Sequence, residues 1–88
     1  MEVQYTARGF EIIRFKDHNG RECSLQGSSA IGEYDDAFDR PGTSFVWVGV
    51  GDERMHLGRE DVEKLVDRLT NWLDDGTFKY IEEQAEGR

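Results

Sequence analysis

Apolar residues recur along this chain in two different periods. Five short segments alternate apolar and polar positions or are rich in Val, Ile and aromatic residues, which is typical of half-buried strands. Nearer the C-terminus the spacing of apolar residues changes to the 3.6-residue period of an amphipathic helix. The predicted strands are Val3–Thr6, Phe10–Lys16, Arg21–Gln26, Ser44–Val50 and Arg54–Leu57, and the first of them is weak.

The predicted helix runs from about Arg59 to Asp74. Gly58 is a suitable N-cap, and two acidic residues in the first turn complement the positive end of the helix dipole. Gly76 is expected to end the helix, because glycine readily adopts the left-handed conformation of a C-cap. The apolar stripe consists of Val62, Leu65, Val66, Leu69, Trp72 and Leu73.

The turn at Asp17–Gly20 sets the register of the second and third predicted strands. A two-residue loop would place Lys16 opposite Cys23, beside an apolar neighbour. A three-residue loop instead pairs Phe15 with Cys23 and keeps every core candidate on one face. The pattern therefore predicts a type I turn that is closed by a glycine in the left-handed region.

These elements predict the α+β class: a three- to four-stranded, mainly antiparallel sheet with one C-terminal amphipathic helix packed on one face. Residues 1–81 are expected to form a single α+β domain, and 82–88 a polar C-terminal tail. The acidic segment 30–43 has no clear period and is interpreted as a surface loop. The helix is expected to cover Ile13, Phe15, Cys23, Leu25, Val46, Val48, Val50, Met55 and Leu57.

The net charge of −8 narrows the classes of partner. Direct binding of nucleic acid requires cations that neutralise phosphates, so it is disfavoured. The N-terminus lacks the pattern of a signal peptide, and no apolar run is long enough for a membrane span. A single cysteine excludes an intrachain disulfide framework, which favours a cytosolic protein. A chain of 88 residues has a small core, so a homo-oligomer, most simply a dimer, is expected.

The sheet face opposite the predicted helix carries aromatic and polar residues together. Such a mixture is typical of a recognition surface, although a dimer interface or coverage by the acidic loop would also explain it. Phe10 and Ile12 are expected on this face, and Arg54 and His56 lie on it next to Trp47. The candidate ligand-binding residues are Arg54, His56, Trp47, Phe45, Ser24, Gln26, Ser28 and Ser29.

Three ordered segments resemble a family of small bacteriophage and prophage proteins. They are Asp17-x-x-Gly20-x-x-Cys23-Ser-Leu-Gln26-x-Ser28-Ser29-Ala30, then Trp47-Val-Gly49, then Arg54-Met-His-Leu57-x-Arg-Glu60. The resemblance extends over roughly residues 10 to 76 and rests on order and spacing. The chain departs from the pattern in a longer, acidic segment before Trp47 and a shorter one after Gly49. The resemblance implies an accessory protein that antagonises bacterial defence, located in the cytoplasm of the infected host cell.

The sequence does not predict an enzyme, a metal site or a cofactor. Cys23 is expected to point into the core rather than act as a nucleophile. His18 lies in a turn, and a structural role is expected for His56. Cysteine and histidine residues do not occur at metal-ligand spacing. Asp35, Asp36 and Asp39 lack the regular spacing of a calcium loop.

Two binding hypotheses follow, one for the aromatic and polar sheet face and one for the acidic surface. In the first, the protein is a sponge that sequesters a nucleotide-type signalling molecule: Arg54 contacts phosphate and Trp47 or Phe45 stacks on a base. In the second, an acidic surface inhibits a basic host defence protein, as an anti-CRISPR protein does. A phage structural or regulatory role is a third option. The acidic partner surface consists of Glu33, Asp35, Asp36, Asp39, Glu60, Glu63, Asp67, Asp74 and Asp75.

Overall fold

The computed structural model describes residues 1–31 and 42–79 and confirms the α+β class. These residues form one antiparallel sheet of five strands, in which each strand pairs with the next along the chain, followed by one helix. The expected count of three to four strands was therefore too low, because the weak first segment does pair with its neighbour. The elements are β1 (Val3–Tyr5), β2 (Glu11–Lys16), β3 (Glu22–Gly27), β4 (Phe45–Val50), β5 (Glu53–Gly58) and α1 (Arg59–Asp75).

The predicted register of the β2–β3 hairpin is confirmed. Phe15 pairs with Cys23, and Gly20 closes the turn with a φ of 82°. The Asp17 carboxylate accepts hydrogen bonds from the backbone N–H of Arg21 and of Asn19, and from the Arg21 guanidinium. These bonds, the one from the Arg21 backbone first, lower the pKa of Asp17 below its ordinary value. The turn is thus held by a charged side chain as well as by glycine.

Both predicted ends of the helix are confirmed. The backbone N–H of Gly58 donates to the Asp61 carboxylate at 3.1 Å, so the first turn carries its own acceptor. Gly76 ends the helix with a φ of 72° and donates to the Trp72 carbonyl at 2.8 Å. Beyond it, the Asn71 side chain donates to the carbonyl oxygens of Thr77 and Lys79, which turns the chain back along the helix.

The helix does not cover the sheet as the sequence predicts. Strand β5 ends at Gly58 and α1 begins at the next residue, so no loop is available to reverse the chain direction. Among the strands, α1 contacts mainly β5, from which it runs. Most of its apolar stripe is exposed, with 52% of Leu69 and 76% of Leu73 accessible to solvent. The apolar stripe is therefore present, but this chain does not bury it.

Strand pairing assigns the side chains to two faces of the sheet. The Val48 face, defined by the pairing of Val48 with Leu25 and Met55, is the face that the helix was expected to cover. Apart from buried Cys23, its described apolar residues are half-buried or exposed. The Trp47 face, defined by the pairing of Trp47 with Gln26 and His56, was expected to be open.

The Trp47 face is better covered than the sequence suggests. Phe10 and Ile12, which were placed on the uncovered face, are 8% and 6% exposed. Gly42 lies against the Phe10 ring, and the Arg8 guanidinium lies over it at 5.6 Å from the ring centre. The expected open surface is thus confined to the part of this face around Trp47. The acidic segment, the boundary at residue 81 and the polar tail lie largely or wholly outside the described residues.

Candidate functional site

Four predicted ligand-binding residues form one continuous row across β4 and β5. The Trp47 and His56 rings are stacked, with centres 4.0 Å apart and planes inclined by 20°. Phe45 flanks the other side of the imidazole at 5.2 Å, and the Arg54 guanidinium lies 5.1 Å from the Trp47 ring centre. This aromatic row places a cation at the end of a stacked platform, which is an arrangement that suits a planar, negatively charged ligand.

Hydrogen bonds hold the row in place from its β3 side. The Ser28 hydroxyl lies 2.8 Å from His56 Nε2 and accepts the backbone N–H of Ala30 at 3.1 Å. Ser28 is only 2% exposed, whereas His56 is exposed, so the contact is part-buried. A buried hydroxyl with two partners restrains the imidazole ring, and therefore the stack that it shares with Trp47.

Arg54 is oriented by a second contact. Its Nη1 donates to Gln26 Oε1 at 2.9 Å. Because β4 lies between β3 and β5, the Arg54 side chain crosses β4 to reach Gln26. Gly49 is the residue of β4 opposite Arg54, and it has no side chain to obstruct the crossing. The guanidinium is thereby oriented over the platform, although the residue remains exposed.

A hollow of about 340 Å³ lies beside Trp47 on the same face. Gln26 and Ser29 contribute to it from β3 and the following residues. Its other wall is the connection between β1 and β2, where Phe10 and Arg8 contribute an aromatic ring and a cation. This volume is at the lower end of the range of small-molecule sites, which begins at about 300 Å³.

The β1–β2 connection is the part of the site that the sequence did not predict. It is held by hydrogen bonds between Thr6 and Phe10, through both the Thr6 hydroxyl and the backbone. Its position depends on the pairing of Tyr5 with Glu11, which could not be foreseen for so weak a strand. The sequence did contain one indication that this connection belongs to the site. Arg8 lies two residues before Phe10, and an arginine close to an aromatic residue can form a cation–π contact.

The remaining predicted residues fall into three groups. Ser24 is on the Trp47 face, between Arg14 and Gly49, and does not line the hollow. The carboxylates of α1 (Glu60, Glu63, Asp67, Asp74 and Asp75) are exposed. At helical spacing Glu60, Asp67 and Asp74 lie on the side opposite the apolar stripe, and Glu63 and Asp75 lie nearer to its two edges. Glu33, Asp35, Asp36 and Asp39 lie outside the described residues.

The charges on the Trp47 face differ from those of the chain as a whole. The strand residues on this face include three cations, Arg14, Lys16 and Arg54, and a single carboxylate, Glu22. The strand residues on the Val48 face include two carboxylates, Glu11 and Glu53, and no cation. A chain with a net charge of −8 therefore presents one locally positive sheet face, and the aromatic row lies on it.

The distance between Ser28 and His56 is that of a nucleophile and its general base, but the surroundings differ. The Ser28 oxygen is buried and already accepts a backbone N–H, so a substrate carbonyl has no approach to it. Cys23 is also buried, and its thiol donates to the Arg21 carbonyl on the opposite side of the sheet. Neither residue therefore combines the accessibility and the neighbouring base of an activated nucleophile.

Two kinds of feature are absent from residues 1–31 and 42–79. No group of three or more His, Cys, Asp or Glu side chains is placed to hold a metal ion. No helix in this part of the chain combines the length and apolar character that a membrane span requires. Comparison of the chain with known protein families, curated protein sequences and solved structures found no match.

Proposed function

We propose that this protein is a non-enzymatic sponge that binds and sequesters a nucleotide-type signalling molecule. The observation that carries the proposal is the position of Arg54 over Trp47, next to the hollow, on the positive face of an acidic chain. A base would stack on Trp47 or Phe45, and the phosphates would lie near Arg54 and Arg8. Arginine suits phosphate because its planar guanidinium donates several parallel hydrogen bonds.

The cellular setting is part of the same proposal. The resemblance to small bacteriophage proteins favours an antagonist of bacterial anti-phage defence that acts in the cytoplasm of the infected cell. A sponge needs no catalytic group, only a site whose polar contacts are already in place. The bond that Arg54 donates to Gln26 and the contact between Ser28 and His56 meet that requirement, since they orient both side chains before a ligand arrives.

Isothermal titration of the full chain with a panel of cyclic mono-, di- and trinucleotides and ADP-ribose derivatives tests the proposal. We expect stoichiometric binding of at least one compound, which is recovered chemically unchanged after the protein is denatured. Stacking contributes about 1–3 kcal/mol per base, so Trp47→Ala should weaken binding about tenfold or more. Arg54→Ala should weaken it similarly.

Two control variants match these substitutions. Tyr5→Ala removes an exposed aromatic ring from the edge strand, and Lys16→Ala removes one positive charge at the far end of β2. Both should bind as the wild type does. The sponge is ruled out if no member of the panel binds, and the assigned site is ruled out if Trp47→Ala binds normally. A chemically altered ligand would indicate an enzyme instead.

The helix favours a second candidate, an acidic inhibitor of a basic host defence protein. Glu60, Asp67 and Asp74 project from the side of α1 that is opposite its apolar stripe, and all are exposed. Such an array accelerates association with a basic surface and makes it sensitive to salt. In the titration experiment, this candidate predicts no nucleotide binding and salt-sensitive capture of a basic effector.

A further inference from the structure

Two apolar surfaces of this chain meet at an angle, and neither is covered by the other. One is the Val48 face of the sheet, and the other is the apolar stripe of α1. A hollow of about 320 Å³ at the base of the helix joins them, where Val62 lies near Val46 and Leu57. The two surfaces are therefore continuous, and they form the inside of an L whose arms are the sheet and the helix.

The described part of a single chain has little closed core. Only Phe10, Ile12 and Cys23 are buried apolar residues within it, and none of its large side chains is fully buried. The radius of gyration is 15.8 Å, whereas a compact chain of this length has a value of about 12 Å. A domain so small and open needs a further apolar surface to be stable.

The size of the exposed surface fits a protein interface. Exposed fractions range from 41% to 76% for Leu65, Val66, Leu69, Trp72 and Leu73 of the stripe, and Met55 of the Val48 face is 52% exposed. Only Trp72 among them has the area of about 150–250 Å² of an aromatic side chain, but together these residues expose on the order of several hundred Å². That area is on the order of the ~800 Å² per partner of a standard stable interface.

We propose that a second copy of this chain covers both surfaces, with the helix of each protomer lying in the angle of the L of the other. A two-fold axis uses the same patch on both protomers, so each helix meets a sheet face and each sheet face receives a helix. The sheet and helix dimensions agree with this arrangement, because the 17 residues of α1 span about 25 Å. Five strands extend over about 20 Å at ~4.8 Å spacing.

The arrangement of charges permits this association despite the acidity of the chain. The carboxylates at Glu60, Asp67 and Asp74 lie on the far side of the helix from the stripe, so they remain in solvent in the dimer. The Trp47 face also remains outside, because it is the opposite side of the sheet from the interface. Dimer formation is thus independent of the nucleotide site.

Light scattering coupled to size-exclusion chromatography tests the dimer. We expect twice the chain mass of 10.1 kDa for the wild type and a dissociated form for Leu69→Asp and Leu73→Asp. Leu73 is informative because it is mostly exposed in one chain, so a monomeric protein would tolerate a charge there. Thr70→Asp introduces the same charge next to Leu69 but outside the stripe, and it should remain dimeric.

A second measurement keeps the proposal testable if the charged variants do not fold. The melting temperature of a dimer that dissociates on unfolding rises with protein concentration, whereas that of a monomer does not. We therefore expect the wild-type melting temperature to increase across a hundredfold range of concentration. A monomeric mass together with a constant melting temperature would overturn the proposal. A dimer that survives both Leu69→Asp and Leu73→Asp would show that another surface forms the interface.

Discussion

Ser28 links the aromatic row to the backbone through one buried hydroxyl. Its oxygen contacts His56 Nε2 and accepts the N–H of Ala30, and both partners are left without this bond if the hydroxyl is removed. The sequence predicted Ser28 as one of the residues that bind the ligand. Its burial instead indicates that it supports the site from below, whereas its neighbour Ser29 is exposed and lines the hollow.

Substitution of these two serines is therefore expected to affect the stability of the protein differently. Ser28→Ala should destabilise the protein by about 0.5–1.5 kcal/mol, because it removes two part-buried hydrogen bonds. Ser29→Ala should leave stability within about 0.5 kcal/mol of the wild type, as is usual for an exposed position. Urea unfolding followed by Trp fluorescence measures both. Equal stability of the two variants would show that the contact between Ser28 and His56 contributes nothing to the fold.

At the scale of elements, the pattern of apolar residues predicted the strands, the helix and the β2–β3 register correctly. Each depends on local chemistry: alternation, a left-handed glycine at Gly20, and caps at Gly58 and Gly76. The position of the helix was not predictable in this way. Periodicity shows which side of α1 is apolar, but the direct junction between Gly58 and Arg59 determines what that side can reach. The β1–β2 wall was missed because a three-residue strand carries too little pattern.

Gly49 is the residue on which the geometry of the β4–β5 hairpin depends most closely. A Cβ atom at this position would meet the Glu53 carbonyl oxygen and would lie 2.6 Å from Arg54 Cα, both of which are backbone atoms. Because backbone cannot rotate aside, Gly49→Ala should separate the two strands and cost about 1–3 kcal/mol or more. It should also move Arg54 away from Gln26 and weaken ligand binding.

Gly51→Ala is the matched control for this substitution. Gly51 lies in the turn of the same hairpin with a φ of 54°, and a Cβ there meets no atom within 4 Å. This substitution should lower the free energy of unfolding only by the strain of an alanine in the left-handed conformation, about 1–2 kcal/mol. Ligand binding at the aromatic row should be unaffected. Unfolding by denaturant and nucleotide titration compare the variants. A milder effect at Gly49 than at Gly51 would contradict the close approach of the strands.

At the scale of the whole molecule, the distribution of charge separates the surfaces by their expected partners. The Trp47 face is locally positive, the far side of α1 is acidic, and the two apolar surfaces between them carry few charges. The sequence gives the total charge and the helix pattern, from which the acidic side of α1 was predicted. It does not give the positive face, since that depends on which strand residues the register places together.

Net acidity should make the stability of the protein increase with salt. A charge of −8, doubled in a dimer, repels itself over distances that shrink as the Debye length falls from ~30 Å at 0.01 M to ~8 Å at 0.15 M salt. The Lys16–Glu22 and Lys64–Glu60 ion pairs are exposed, and such pairs contribute only about 0–1 kcal/mol each, so their screening is the smaller effect. We expect the melting temperature to rise by a few degrees over this range of sodium chloride.

Two neighbouring substitutions test the sign of this effect. Glu63→Gln should raise the melting temperature at low salt and make it depend less on salt. Lys64→Gln, at the next position, should lower the melting temperature at low salt and make it depend more on salt. A melting temperature that falls with salt would mean that attraction between opposite charges, rather than net repulsion, dominates the electrostatics of this fold.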